Sequence, residues 1–148
     1  MPKRSPKARR RPAEVTGSGL PVVVVCRGGD CGSRTKHPGF DHRAQLCEIR
    51  GRLEQRAEVV SSSCLDACEH SNVVVVLPGR DARAAGGQPV WIGQVNDADT
   101  TTEVVDWVDA GGPVVADEPT LVAIRGFRAK RLNRLELDEA TGGSGSGS

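Results

Sequence analysis

The sequence predicts an α/β domain: a small central sheet of about four strands, a parallel pair plus an antiparallel hairpin, flanked by two helices and bracketed by disordered tails. Three observations carry the prediction. Short β-branched runs, "PVVVVC", "AEVVS", "VVVVL" and "VWIGQV", are too short for helices and suit buried strands. A longer stretch between the first two runs has helical periodicity, so those strands are parallel neighbours by the crossover rule. Pro-Gly and Gly-Gly between the last two mark a hairpin with a long loop.

Each element follows in order. Residues 1 to about 19 are rich in Pro, Arg and Gly without periodicity and read as a disordered arm. Pro21 to Cys26 is the first strand, and "RGGDCGSRTKHPG" after it is a loop. From Phe40 to about Ala57 a helix is expected, with Leu46, Ile49, Leu53 and Ala57 on one stripe and mostly charged residues elsewhere. Ala57 to Ser61 is the second strand, "SSCLDACEHSN" a second loop, and Val73 to Leu77 the third strand. "PGRDARAAGGQP" reads as a flexible connection to the fourth strand, Val90 to Val95.

The second helix is expected in "NDADTTTEVVDWVDAG". Asp97 or Asp99 caps it, Thr100 to Glu103 fits a capping box, and Gly111 stops it. Val104, Trp107 and Val108 form its apolar face. After Gly112 the signal weakens: "TLVAIRGFRAKRLNRLEL" reads as a short strand or an amphipathic segment, and "ATGGSGSGS" as a flexible end. The chain therefore divides into a basic arm (1–19), a folded domain (20–112) and a C-terminal extension with its tail (113–148). The strand order β-α-β, then β-β-α, is a thioredoxin-like arrangement.

Charge is unevenly spread. The 148 residues carry a formal net charge of +1, yet residues 1–12 hold six of the 20 Lys and Arg and no acid. Between Leu20 and Ala116 there are nine basic and 13 acidic residues, a net of −4. Aromatic residues are 3% and Tyr is absent, which argues against a base-stacking platform for single-stranded nucleic acid. The basic arm suits nucleic acid, an anionic membrane surface or an acidic partner, but an unstructured charge run reads first as a solvated tail. No apolar stretch is long enough for a signal peptide or a membrane span, so a cytoplasmic location is expected.

In a reducing compartment, five cysteines argue for metal or redox chemistry rather than structural disulfides. Parallel strands place their C-terminal ends on one sheet edge. The loops after the first two strands should therefore bring Cys26 and Cys31 ("CRGGDC") close to Cys64 and Cys68 ("CLDAC"). A single zinc usually takes tighter C-x2-C pairs. The C-x4-C and C-x3-C spacings suit a larger object, an iron–sulfur cluster with two thiolates on each iron. Gly28, Gly29 and Gly32 would let backbone N–H groups approach the sulfurs, and Arg27 would temper the negative charge. A disulfide exchanger would want C-x-x-C at a helix start, which is absent here. Cys47, at the edge of the first helical stripe, reads as a small buried hydrophobe. His37, His42 and His70 do not make the two Cys–His pairs of a Rieske centre and read as surface or supporting residues.

Together, "VVVVCRGGDCG", "SSSCLDACEHSNVVVVLPG" and "PVWIGQV" resemble the thioredoxin-like [2Fe-2S] ferredoxins. That family includes stand-alone carriers and the thioredoxin-like subunit of respiratory complex I and of NAD-linked hydrogenases. The resemblance covers about Pro21 to Ala110, and its most specific motif is the C-x3-C with Leu65 inside it and a valine-rich strand behind. It implies that Cys26, Cys31, Cys64 and Cys68 ligate one [2Fe-2S] cluster. The chain would be an electron carrier rather than an enzyme, a homodimer, with a reductase and an acceptor as redox partners. The C-x4-C spacing looks like the complex I subunit, but a basic arm replaces that subunit's helical N-terminal region and points to a stand-alone carrier. The lengthened hairpin loop and the region after Gly112 have no family counterpart. A second reading is a metal-stapled or redox-sensing regulatory module whose basic arm binds nucleic acid or a partner protein.

Overall fold

The computed structural model describes residues 19–27, 31, 33, 39–63, 65 and 68–141, with the Cys68 side chain left out. The basic arm, the glycines 28, 29 and 32, His37, Cys64 and the C-terminal tail lie outside the described residues.

Five strands form one sheet in the order β2-β1-β3-β4-β5. They are β1 (Val22–Cys26), β2 (Glu58–Ser62), β3 (Val74–Leu77), β4 (Val90–Ile92) and β5 (Gly126–Phe127). β1 and β2 run parallel, β1 pairs antiparallel with β3, and β3 with β4, which is the expected thioredoxin-like arrangement. The strand count differs by one. β5 comes from the region after Gly112 and pairs antiparallel with β4 through Trp91–Phe127 and Ile92–Gly126.

The valine runs are explained by burial on both faces, where alternation with polar residues would be penalised. Val23, Val25, Val74 and Val76 face one core with Ile92, and Val22, Val24, Val73 and Val75 face another with Trp91. The first core is roofed by α1 (His42–Arg52) and α3 (Ala98–Asp109), through Ile49 from α1 and Val104, Val105, Trp107 and Val108 from α3. Arg52–Asp106 and Arg56–Asp109, both at 2.8 Å, tie the two helical segments at the exposed surface and add little stability. The second face is covered by α5 (Arg131–Ala140), which contributes Leu137, with Ala129 just before it.

Caps decide the helix ends. Asp41 accepts from the Ala44 N–H at 2.9 Å and starts α1 at His42, two residues later than the stripe suggests. Asp97 starts α3, taking the Thr100 N–H at 2.9 Å and its hydroxyl at 2.8 Å. The expected Thr100–Glu103 box does not form there, because Glu103 instead accepts the Leu121 N–H at 2.8 Å. Gly111, at φ +124°, lets the chain leave α3. The hairpin connection is not featureless. It holds the short helix α2 (Arg80–Ala84).

β4 is three residues rather than six. Gln94 sits at φ +54°, which breaks the ladder, although the Val95 N–H still donates to Asn72 O at 3.0 Å. After α3 the chain makes α4 (Thr120–Arg125), β5 and α5, so the weak segment is a strand and an amphipathic helix together. No helix among the described residues is long and apolar enough to cross a membrane.

Candidate metal centre

The parallel pair places the C-terminal ends of β1 and β2 side by side, with Cys26 opposite Ser62. Cys26 points into the second core and is 2% exposed. Cys31, on the loop that follows, is 3% exposed in the same core. Burial in an apolar pocket would leave both thiols inert, but the polar groups around them change that. The Val73 N–H, at the start of β3, donates to Cys31 Sγ at 3.3 Å. Cys26 Sγ lies 3.6 Å from the carbonyl oxygen of Ser63, the residue before Cys64. Leu65, the residue after Cys64, is 1% exposed and packs in the core with Cys26 and Cys31. The backbone on both sides of Cys64 therefore abuts the first cysteine pair.

Cys68 opens a 3-10 turn, Cys68–His70, at the entrance to β3. His70 stacks on Phe127 with ring centroids 3.8 Å apart, and Gly93 runs beneath it. A Cβ at Gly93 would sit 3.0 Å from His70 Cβ and 3.1 Å from its carbonyl oxygen, so glycine is what lets the β4 end approach this turn. Among the described residues no group of three or more His, Cys, Asp or Glu side chains converges as a metal site. Cys64 and the Cys68 side chain, the other half of the expected ligand set, lie outside them.

Arg27 supplies the charge. Its guanidinium folds back from the end of β1 and donates to Cys26 O at 3.0 Å and Asn72 Oδ1 at 3.4 Å through Nη1. Nη2 donates to His42 O at 3.0 Å and Gln45 Oε1 at 2.8 Å. Gln45 is itself held, its Nε2 donating to Val95 O at 2.9 Å and Thr101 Oγ1 at 3.0 Å. Burial pushes the Arg27 pKa down from its ordinary value, while Cys31 and then Cys26 push it back up. The guanidinium thus places positive charge near both sulfurs.

A hydroxyl stands beside the first cysteine pair. Ser62 lies on the same sheet face as Cys26, as its ladder partner, and its hydroxyl is buried without a hydrogen-bond partner among the described residues. A buried orphan hydroxyl costs about 1–3 kcal/mol, so it marks a place where another acceptor belongs. Sulfur on a metal centre is such an acceptor. The pocket thus has two buried sulfurs, an N–H donor, a pinned cation and a spare O–H, and these fit an anionic thiolate-bound cluster.

α5 closes the site from outside. Asn133 Nδ2 donates to Leu65 O at 3.1 Å, and Leu137 and Ala129 pack in the core with the cysteines. Gln45, Asn72, Ser62 and Asn133 are the site residues that sequence reasoning missed. Their common signal is a polar side chain at an inward position of a helix, strand or core loop. Cys47 is corrected: it is exposed on α1, because the helix turns His42, Gln45 and Ile49 inward and Cys47 lies on the opposite side. No family model, curated protein or solved structure matches the chain.

Proposed function

We propose that the protein is a one-electron carrier holding a [2Fe-2S] cluster on Cys26, Cys31, Cys64 and Cys68, in the manner of the thioredoxin-like ferredoxins it resembles. The observation that carries this reading is the approach of Cys26 Sγ to within 3.6 Å of the carbonyl just before Cys64, which draws the two cysteine loops to one sheet edge. When bound, the cluster would supply reversible one-electron reduction.

The chain's own residues account for the rest. Cys26 and Cys31 present buried sulfurs, and Arg27 offsets their negative charge. The Val73 N–H, and the Ser62 hydroxyl once an acceptor is present, stabilise charge on sulfur and so favour the reduced state. Leu65, Trp91, Ala129 and Leu137 keep water from that core. The proposal includes a reductase and an acceptor as partners, a cytoplasmic setting and a homodimer; light scattering giving the mass of two chains checks the last.

The test is iron and acid-labile sulfide analysis of the purified full chain, with EPR of the dithionite-reduced form. Two irons and two sulfides per chain are expected, with brown colour that bleaches on reduction. Serine at any of the four cysteines should lower the cluster content. Colourless protein with one zinc per chain would overturn the reading.

A further inference from the structure

We infer that the first half of α5, with Arg128 before it, is a docking surface for an acidic protein partner. The segment is fastened to the cysteine loop. Asn133 binds Leu65 O, and Lys130 Nζ lies 3.9 Å from Glu69 Oε2, next to Cys68. A protein held on this helix is therefore held beside Leu65 and the Cys68–His70 turn.

The outer side of the segment has the make-up of an interface, with apolar residues inside a charged rim. Leu132 is 59% exposed and Leu135 51%, although neither serves the core, which takes Leu137. Around them stand Arg128, Arg131 and Arg134, all exposed. From Arg125 to Leu135 the sequence has five cations and no acid, whereas residues 20–116 are net negative. No carboxylate among the described residues pairs with these three arginines; the Arg134 side chain donates to the Ala129 carbonyl, at 2.9 Å. The first turn of α5 has no acidic residue and opens with Arg131 at the positive end of the helix dipole, where a cation works against helix stability. The placement of the arginines suits a complementary negative surface better than it suits the fold.

The occupant follows from the same features. A second copy across a two-fold axis would set these arginines against themselves, so the proposed homodimer uses another face. Phosphate backbones would use the charges but leave the two leucines without a partner, and no aromatic residue stands there for stacking. Two leucines are too little apolar surface for lasting membrane attachment by this helix. An acidic protein with an apolar centre uses both. That the partner is a redox protein rests on the electron-carrier reading; the existence of the surface does not.

The experiment uses the full chain and an acidic plant-type ferredoxin as the probe, with affinity measured by calorimetry at low and moderate salt. Binding that weakens with salt is expected. R128E/R131E should weaken it at least about tenfold and flatten the salt dependence. L132S/L135S should weaken it severalfold and leave the salt dependence unchanged. All four positions are exposed, and circular dichroism of each variant verifies folding. The proposal is overturned by no binding at low salt, by loss only when residues 1–12 are deleted, or by tighter binding of duplex DNA or phosphatidylserine vesicles through the same residues. Iron and sulfide content on the same samples separates the two claims. A chain that binds the probe without a cluster keeps the surface and loses the carrier reading. A cluster-loaded chain that ignores the probe loses the surface alone.

Discussion

Asn133→Ala should loosen the whole cysteine edge, because one side chain makes two bonds there. Its Oδ1 accepts the Lys130 N–H at 2.7 Å and caps α5. Its Nδ2 donates to Leu65 O at 3.1 Å and holds the cysteine loop. The residue is 5% exposed, so water does not replace the second bond. Losing the cap costs about 1 kcal/mol, and leaving the Leu65 carbonyl unsatisfied about 1–3 kcal/mol. The sum is about 2–4 kcal/mol. At roughly 3–5 °C per kcal/mol for a chain of this size, Tm should fall on the order of 10 °C. Calorimetry and urea denaturation measure this. Iodoacetamide labelling of the metal-free chain adds a local readout, since Cys26 and Cys31 should react faster once α5 lifts from Leu65. Asn133→Asp separates the two bonds: it keeps an acceptor for Lys130 N–H but has no donor for Leu65 O. If Asn133→Asp matched the wild type in stability and labelling rate, the bond to Leu65 would carry nothing and the roofing role of α5 would be refuted.

Arg27→Met removes four hydrogen bonds from a cation next to the cysteines, so stability should drop by about 2–4 kcal/mol in urea titration. Arg27→Lys should recover only part of this, since an ammonium cannot span acceptors on β1, α1 and the loop before β3. Ser62→Ala should leave the metal-free chain as stable or about 1 kcal/mol more stable, as it deletes an orphan hydroxyl. In the iron-loaded protein the same change should move the reduction potential to more negative values, on the order of 50 mV for one lost hydrogen bond. An unchanged potential in spectroelectrochemical titration would show that the hydroxyl does not reach sulfur. Asp97→Ala removes the α3 cap and should cost about 1–2 kcal/mol in thermal unfolding, with little added by its exposed 3.7 Å pair with Arg125.

What could be read from the sequence depended on how strongly each segment was patterned. β1 and β3 are valine runs buried on both faces, and nothing else in the menu of local structure suits four consecutive β-branched residues. α3 announced itself through Asp97 before it and Gly111 after it. α5 did not. Its most visible apolar residues, Leu132 and Leu135, face solvent, while its buried stripe is Asn133 and Leu137. Its apolar residues therefore do not mark its buried side. β5 is two residues long and forms only because β4 offers a free edge, which is a tertiary cause with no local pattern. At the site, the sequence pointed to Cys26, Cys31 and Arg27 but not to the polar groups that hold Arg27. Gln45, a polar neighbour of the Leu46, Ile49 and Leu53 stripe, carries no local signal of its role, and it is the residue that joins Arg27 to α3.

If the protein is the proposed one-electron carrier, the way Arg27 is tied has a consequence for the speed of electron exchange. Its acceptors come from β1, from α1 and from the loop before β3, and Gln45 is locked in turn to Val95 and Thr101. A guanidinium anchored to three separate parts of the chain cannot swing toward a sulfur that gains charge or away from one that loses it. Its orientation is set during folding, before any electron arrives. Oxidised and reduced forms of the proposed carrier would then share nearly the same arrangement of dipoles, and the nuclear rearrangement that slows electron exchange in water would be largely absent from this side of the site.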